Sequence, residues 1–243
     1  QKTLEYSDGA TVVSRVGGSP YEFYGLQADG VYATQAEADK ANLVNSSMQA
    51  YQAGDVRFID QNNDGRIDIK DRISLGSAAP DYFGGFYTNF RYRHFALSAE
   101  FAYSKGNKAY NAVRRTLESA SSFSNQSVAV SNRWSVEGQV TDMPRATFGD
   151  AIGNNNFSSR WIEDASYLRI KNITLSYNFD KPIWNFFRSG TIYVTGENLL
   201  TATKYLGLDP EFAYSSSDNA TQGFDYAKVM QPKSVKLGIN LKF

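Results

Sequence analysis

The chain alternates between polar stretches rich in turn-forming residues and short segments in which apolar and polar residues alternate. Strict alternation is the signature of a β-strand with one apolar face. It is clearest at the end of the chain, where every second residue from Val235 to Phe243 is apolar. The pattern therefore predicts an all-β protein. The predicted strands are 82–93, 95–104, 167–179, 191–200 and 234–243.

The connections between these predicted strands alternate in length. The turns at 93–94 and 180–188 are short, whereas the segments 105–164 and 201–231 are long. A transmembrane antiparallel β-barrel places its short turns on one side and its long loops on the other, and it uses strands of about 10 residues. The lengths therefore favour a barrel over a sandwich. Since closed bacterial barrels start at about 8 strands, we expect this chain to be one part of a barrel that further sequence completes.

Residues 1–81 are rich in Gly, Asp, Asn and Ser and show no sustained alternation. They are interpreted as loop with short irregular strands, on the same outward side as the long loops. The predicted organisation is thus an extracellular loop region, 1–81, followed by barrel strands within 82–243 that carry the extracellular loops 105–164 and 201–231. A short helix is expected near 109–120.

Composition excludes several classes of protein. The 243 residues contain no Cys and one histidine, His94, so a disulfide scaffold, a thiolate zinc site and a Ser-His-Asp triad have little support. The 25 basic residues balance the 25 acidic ones, which argues against nucleic acid as a partner. No apolar run approaches the ~20 residues of a membrane-spanning helix.

The strongest chemical motif is an acidic loop that runs from Asp60 to Asp71. Oxygen ligands at loop positions 1, 3 and 5, Gly65 at position 6 and carboxylates at positions 9 and 12 are typical of an EF-hand-type calcium loop. The flanking sequence is extended, so a helix-loop-helix sensor is not expected. The alternative is an Asx-rich surface turn without metal. The predicted ligands are Asp60, Asn62, Asp64, Arg66 through its backbone carbonyl, Asp68 and Asp71.

Other candidate residues carry a weaker signal. The carboxylates Glu163–Asp164 and Asp209–Glu211 form pairs in sequence, but solvated or rim charge explains them more simply than acid–base chemistry. No catalysis is expected. Aromatic residues in or beside the long loop that are able to stack on a sugar ring are Tyr103, Tyr110, Phe123 and Trp134.

Several ordered segments resemble one known family. The runs 18–39, 54–111, 165–179 and 194–211, followed by the terminal aromatic Phe243, are similar to the closing part of SusC-like TonB-dependent transporters of Bacteroidetes outer membranes, the SusC/RagA family. Each run alone says little, but their order and spacing together are specific. The acidic loop also matches the DxNxDGxID pattern of that family.

The resemblance implies a 22-stranded transmembrane barrel in the outer membrane, with its loops facing outside. This chain would supply the C-terminal strands, and the N-terminal plug and the remaining strands would lie elsewhere in the same transporter. The implied partners are a SusD-like surface lipoprotein that acts as a lid, TonB through the plug region, outer-membrane lipid, and an oligosaccharide or peptide as imported substrate. Phe243 would be the signal for barrel assembly, and Ca²⁺ would be structural, holding an external loop.

Two other interpretations are compatible with the sequence. A secreted β-sandwich with a calcium loop, functioning as a glycan-binding module, would pack the apolar strand faces against each other. A passive porin or adhesin barrel would use the same strands without a plug or TonB.

Overall fold

The computed structural model describes residues 2–6, 8–179, 188–212 and 221–242. Phe243 and most of the predicted turn at 180–188 lie outside the described residues. Within these ranges, no helix is long and apolar enough to cross a membrane. Two short α-helices are present, α1 (Gln35–Ala41) and α2 (Ala112–Glu118), with 3₁₀ turns at Ile69–Asp71, Val128–Asn132, Phe148–Asp150 and Ser159–Trp161.

The rest of the regular structure is β, as the alternation predicts. The strands are β1 (Lys2–Glu5), β2 (Thr11–Ser14), β3 (Glu22–Gly25), β4 (Ala28–Val31), β5 (Val44–Asn45), β6 (Val56–Phe58), β7 (Arg66–Ile67), β8 (Ile73–Ser77), β9 (Tyr82–Tyr92), β10 (Phe95–Lys105), β11 (Lys108–Asn111), β12 (Ile162–Asp164), β13 (Tyr167–Phe179), β14 (Ser189–Thr203), β15 (Phe224–Asp225) and β16 (Ser234–Lys242).

The chain divides into two compact units. The unit that we call the sheet unit contains residues 80–107, 164–211 and 229–243, and the loop unit contains residues 1–79, 108–163 and 212–228.

The sheet unit is built on one antiparallel sheet in the order β16-β14-β13-β10-β9. Each long strand pairs with the next one in the chain, which is the order of a meander. The strand β14 begins two residues before the predicted segment 191–200 and ends three residues after it, and β13 covers the predicted 167–179. Arg93, with φ of 51°, makes the tight turn between β9 and β10.

In the described residues of the loop unit there are four small sheets, in the orders β1-β2-β3-β8, β12-β11-β15, β4-β6 and β5-β7. One core cluster packs Phe23 from β3 with Tyr110, Trp161 and Phe224, all essentially inaccessible to solvent. A second cluster surrounds Tyr32, Tyr51 and Val56. The sequence suggested separate loops before and after the first strand pair, whereas the structure brings 1–79 and 108–163 together around shared aromatic residues.

Candidate functional site

The sheet unit presents two chemically different faces, because the apolar residues of neighbouring strands pair with one another and the polar residues do the same. One row of paired residues illustrates the first face: Phe90, Leu97, Leu175, Val194 and Leu237 lie side by side across the sheet. The side chains of Phe90 and Leu237 are 66% and 82% exposed. The row therefore forms a continuous apolar surface that the described part of the chain leaves uncovered.

Aromatic residues lie at both ends of this apolar face. Near the β9–β10 turn, the rings of Phe95 and Tyr177 lie 5.0 Å apart. At the opposite end, the rings of Tyr82 and Tyr103 are 6.2 Å apart in an edge-on arrangement. An apolar band between two aromatic girdles is the pattern of a membrane-embedded barrel wall.

The opposite face of the same sheet is polar. The neighbouring row consists of Asn89, Ser98, Thr174, Thr195 and Lys236. Two of its hydroxyl groups, on Thr174 and Thr195, share a hydrogen bond of 2.8 Å. Small hydroxyl and amide side chains of this kind suit the inner, hydrated face of a barrel.

A bulge in β13 keeps these two faces separate. Simple alternation along the sequence would place Arg169 and Lys171 on the apolar face of β13. In the structure, the register shifts between Ile170 and Asn172. Lys171 is the additional residue, so Arg169 moves to the polar face and Ile170 continues the apolar one.

The bulge also positions a cluster of charges. The Arg169 guanidinium, 3% exposed, forms a salt bridge with Asp209 and another of 3.0 Å with Glu211. The Lys171 ammonium lies 2.7 Å from Glu211. In the sequence analysis, Asp209 and Glu211 were a candidate carboxylate pair. The structure gives both of them basic partners, which is the geometry of a structural ion-pair cluster.

Asp209 joins two parts of the chain within the sheet unit. Its carboxylate accepts hydrogen bonds from the backbone N–H groups of Glu211 at 2.9 Å and Gln231 at 3.1 Å. Burial on its own would raise the pKa of Asp209, but these two N–H donors and the Arg169 guanidinium outweigh it and hold the pKa below its usual value. The carboxylate is therefore held in its charged form.

The second carboxylate pair separates in the structure. Glu163 accepts a hydrogen bond from Asn111 at 3.1 Å and pairs with Arg114 at 2.9 Å. Asp164 instead accepts the backbone N–H of Ser166 at 3.0 Å. The two carboxylates thus make contacts with different partners.

The aromatic residues that the sequence singled out have different environments. Tyr110 is completely buried, and its hydroxyl donates to Asp8 at 2.8 Å, so its ring is not available for stacking. Trp134 is half-buried and donates through Nε1 to the carbonyl of Ala33. Phe123 is 96% exposed, with its ring 5.1 Å from that of Phe148.

One cavity in the loop unit was not anticipated from the sequence. It measures about 640 Å³ beside α2 and is bordered by Asp8, Arg115 and Tyr226. Arg115 donates to the hydroxyl of Tyr110 at 2.8 Å, and Tyr226 donates to Asp8 at 3.0 Å. The residues of this cavity come from distant parts of the chain, so no local motif announces it.

The acidic loop adopts a compact turn in the loop unit. The Asp60 carboxylate accepts the backbone N–H groups of Asn63 at 2.7 Å and Gly65 at 2.8 Å. The Asn62 side chain accepts the N–H of Asp64, and the Asp64 carboxylate accepts that of Arg66, each at 3.0 Å. Gly65 has φ of +80°, which explains the glycine at the sharp turn.

The end of the loop is fixed by a capping box. The Asp68 carboxylate accepts the N–H of Lys70, and Asp71 reaches back to the N–H of Asp68, each at 2.8 Å. Asp71 is completely buried and also accepts the N–H of Gln61 at 3.0 Å. The contact with Gln61 therefore brings Asp71, the last predicted ligand, to the backbone beside Asp60, the first.

The acidic loop offers the type of donor atom that suits a calcium ion. Carboxylate and amide oxygens are the ligands that Ca²⁺ prefers, and each carboxylate has lone pairs beyond those that accept backbone N–H groups. In the described residues, however, no three acidic or histidine side chains converge on one point. Two cations are near the loop: Lys70 lies 3.8 Å from Asp64, and Arg66 lies 3.8 Å from Asp68.

Known proteins that are similar to this chain in sequence are TonB-dependent receptors. The chain is 31% identical over 94% of its length to the TonB-dependent receptor P26 of Formosa agariphila, and 31% identical over 96% to receptor P3 of the same organism. It is 26% identical over 96% of its length to the TonB-dependent receptor SusC of Bacteroides thetaiotaomicron. The chain spans 23% of the length of each of these relatives. No family model matches it.

Solved structures share the fold. The RagAB peptide transporter matches 99% of the chain with a TM-score of 0.74 at 22% identity. The RagAB peptide importer in its open-open state matches 96% with a TM-score of 0.70. The chain covers 24% and 25% of those two chains, respectively. The predicted fold, a segment of a large antiparallel barrel with its loops, is thus confirmed.

Proposed function

We propose that this chain belongs to the SusC-like TonB-dependent receptors, to which it is similar over most of its length, and that it forms the C-terminal part of an outer-membrane importer. The five long strands would be part of the wall of a 22-stranded barrel, completed by a plug and further strands elsewhere in the transporter. The observation that carries this proposal is the continuous apolar face between two aromatic ends, backed by a polar face.

The lengths of the connections support an orientation. At the end of the sheet where Arg93 makes the β9–β10 turn, the connection is short. At the other end, the chain enters the long segments that contain α2 and β15. We propose that the short turn faces the periplasm and that the loop unit faces outside.

The proposed mechanism is transport in which no covalent bond of the cargo changes. The sheet would satisfy the bilayer with one face and line the hydrated interior with the other. Outside, the long loops would contact the substrate and a SusD-like lipoprotein that closes the barrel, and TonB would act through the plug. The cargo would be an oligosaccharide or a peptide, moved unchanged as the compartment opens and closes. We propose no enzymatic activity.

The exposed apolar face weighs against a secreted sandwich. A sandwich buries such a face against a second sheet, whereas Val235 and Leu237 are 70% and 82% exposed in the described structure. A passive porin or adhesin remains distinguishable by experiment, because it would lack both a plug and a lid.

Purification of the intact transporter from outer membranes in detergent tests the proposal. We expect mass spectrometry to find this sequence within a larger barrel protein that carries a plug, together with a SusD-like lipoprotein. Recovery of the chain alone as a water-soluble monomer would contradict the barrel function. Recovery of a membrane-embedded barrel without plug or lipoprotein would favour the passive porin.

We further propose that Asp60, Asn62, Asp64, Asp68 and Asp71, with the carbonyl of Arg66, bind a structural Ca²⁺. A ligand present at 100 times its dissociation constant stabilises the folded state by about 2.7 kcal/mol. We therefore expect Ca²⁺ to raise the thermal midpoint of the purified transporter and chelation to lower it, with Asp64→Asn reducing the difference.

The matched control for calcium is Asp39→Asn, which alters an exposed carboxylate in α1 that accepts a hydrogen bond from the side chain of Gln35. It should leave the Ca²⁺-dependent shift unchanged. If wild type and Asp64→Asn unfold at the same temperature with and without Ca²⁺, the loop is an Asx-rich turn that needs no metal.

A further inference from the structure

A shallow cleft lies on the sheet unit at the end of its apolar face, on the side of the long connections. It has a volume of about 520 Å³. Its walls include two lysines, tyrosine rings and small or aliphatic side chains. These residues are Tyr82, Tyr103, Lys105, Leu168, Ala202 and Lys204.

The strand register places the two lysines at the same height. Tyr103 pairs with Leu168, which in turn pairs with Ala202, so these three residues form one row across β10, β13 and β14. Lys105 and Lys204 each follow this row by two residues. Since neighbouring strands lie about 4.8 Å apart, the backbones that carry the lysines are separated by about 10 Å.

The order of side chains along the strands matches a bilayer boundary. The aliphatic row through Leu97 and Leu175 comes first and Tyr103 follows. Lys105 lies beyond Tyr103, at the level of Tyr82, with which it pairs. Tyrosines prefer the interface of a membrane, and lysines there extend their ammonium groups to the headgroups. The cleft is therefore at the level where lipid phosphates lie.

The charge of the cleft is available for a ligand. Lys105 and Lys204 are exposed, and no carboxylate of the described residues forms a salt bridge with either ammonium group. The one acidic residue in the lining is Asp164, whose carboxylate accepts hydrogen bonds from the N–H and the hydroxyl of Ser166. Two uncompensated ammonium groups beside apolar side chains are complementary to a phosphate that carries acyl chains.

We propose that this cleft binds the phosphorylated headgroup of an anionic membrane lipid. Lys105 and Lys204 contact the phosphate, while Leu168, Ala202 and the ring of Tyr103 contact the first methylenes of an acyl chain. The inference rests on the proposed function, because it requires the sheet to span a membrane with this end at the outer leaflet. Such a lipid would hold the rim of the barrel at a fixed depth.

The test uses the full-length transporter, purified in detergent, and lipid A as the probe. The variant K105Q/K204Q removes both charges from the cleft. The matched control, K2Q/K40Q, removes two exposed lysines from the loop unit. Each basic residue near a membrane surface contributes roughly a factor of five in binding. We therefore expect lipid A to bind K105Q/K204Q about 10- to 30-fold more weakly than it binds wild type or K2Q/K40Q.

Two further arms identify the ligand. Lipid A from which the phosphates have been removed should bind wild type as weakly as lipid A binds K105Q/K204Q. Inorganic phosphate at millimolar concentration should not displace lipid A, because it lacks the apolar contacts. Displacement at that concentration would instead identify a site for free phosphate and overturn the lipid assignment.

The outcomes separate this inference from the proposed function. If K105Q/K204Q enters the outer membrane and retains lipid A as strongly as wild type does, the cleft is not a lipid site, although the barrel function stands. If wild-type protein is not membrane-embedded, the proposed function itself fails.

Discussion

Replacing Asp209 with alanine is expected to destabilise the protein by about 3 kcal/mol, the loss that follows when one partner of a buried ion pair is removed. Arg169 and Asp209 have side chains that are 3% and 6% exposed, so solvent does not screen their interaction. The change would leave the Arg169 guanidinium buried, with Glu211 and the Thr201 hydroxyl as its remaining polar partners among the described residues. It would also free the backbone N–H of Gln231.

Urea unfolding of the full-length transporter and limited trypsin digestion measure this effect. We expect a lower unfolding midpoint and faster cleavage after Lys228 and Lys233, which flank the chain that Asp209 holds. The control Glu197→Ala removes the partner of Lys236, which is 60% exposed, and should change little.

Two results would decide whether the buried pair is the cause. The double variant Arg169→Met/Asp209→Leu removes both charges and should recover much of the lost stability. Equal midpoints for wild type and Asp209→Ala would show that the cluster contributes nothing. The contribution should also depend on pH: because the folded pKa of Asp209 is lowered, its stabilisation is complete above the ordinary value of 3.8 and declines as pH falls below it.

The second large effect is expected from Ile173→Arg, which places a charge on the apolar face. Ile173 pairs with Ala99 on β10 and Gly196 on β14. Ala99 is four residues from both Phe95 and Tyr103, so this row lies midway between the two aromatic ends. An arginine on the lipid face at that depth costs about 2–4 kcal/mol.

Western blotting of outer-membrane fractions, with heat-modifiable migration as a folding assay, measures the outcome. We expect Ile173→Arg to reduce the folded, membrane-embedded protein several-fold. The control is Thr174→Arg, one residue along β13 on the polar face, where Ser98 and Thr195 are its neighbours. It should assemble nearly as well as wild type. The opposite ranking would mean that the two faces have been assigned the wrong way round.

The sequence alone predicted the β-class and the approximate positions of the long strands, because alternation is a local property. It could not predict the bulge at Lys171, since an additional residue in a strand leaves no mark in the pattern except a break. Alternation alone therefore puts Arg169 on the apolar face, whereas the observed register puts it on the polar face. Its partners, Asp209 and Glu211, come after β14 in the chain. Only the three-dimensional structure shows that they pair with Arg169.

The acidic loop was predictable to a greater extent. The spacing from Asp60 to Asp71 specified a turn with glycine at the sharp position, and Gly65 has the positive φ that this turn requires. Whether a metal binds there stays a prediction, since spacing also suits carboxylates that cap backbone N–H groups. The shared core of the loop unit was not predictable, because Phe23, Tyr110 and Trp161 come from distant segments whose local sequence resembles polar loop.

The interrupted loop unit has a consequence for the order in which the protein is assembled. Phe224, which completes the buried aromatic cluster, follows β9, β10, β13 and β14 in the chain. The cluster therefore cannot close during synthesis until four of the five long strands have been made. Loop closure over such separations is slow, so this unit should mature last, after the neighbouring strands have paired, and a premature stop before residue 224 should leave its aromatic surface open to proteases.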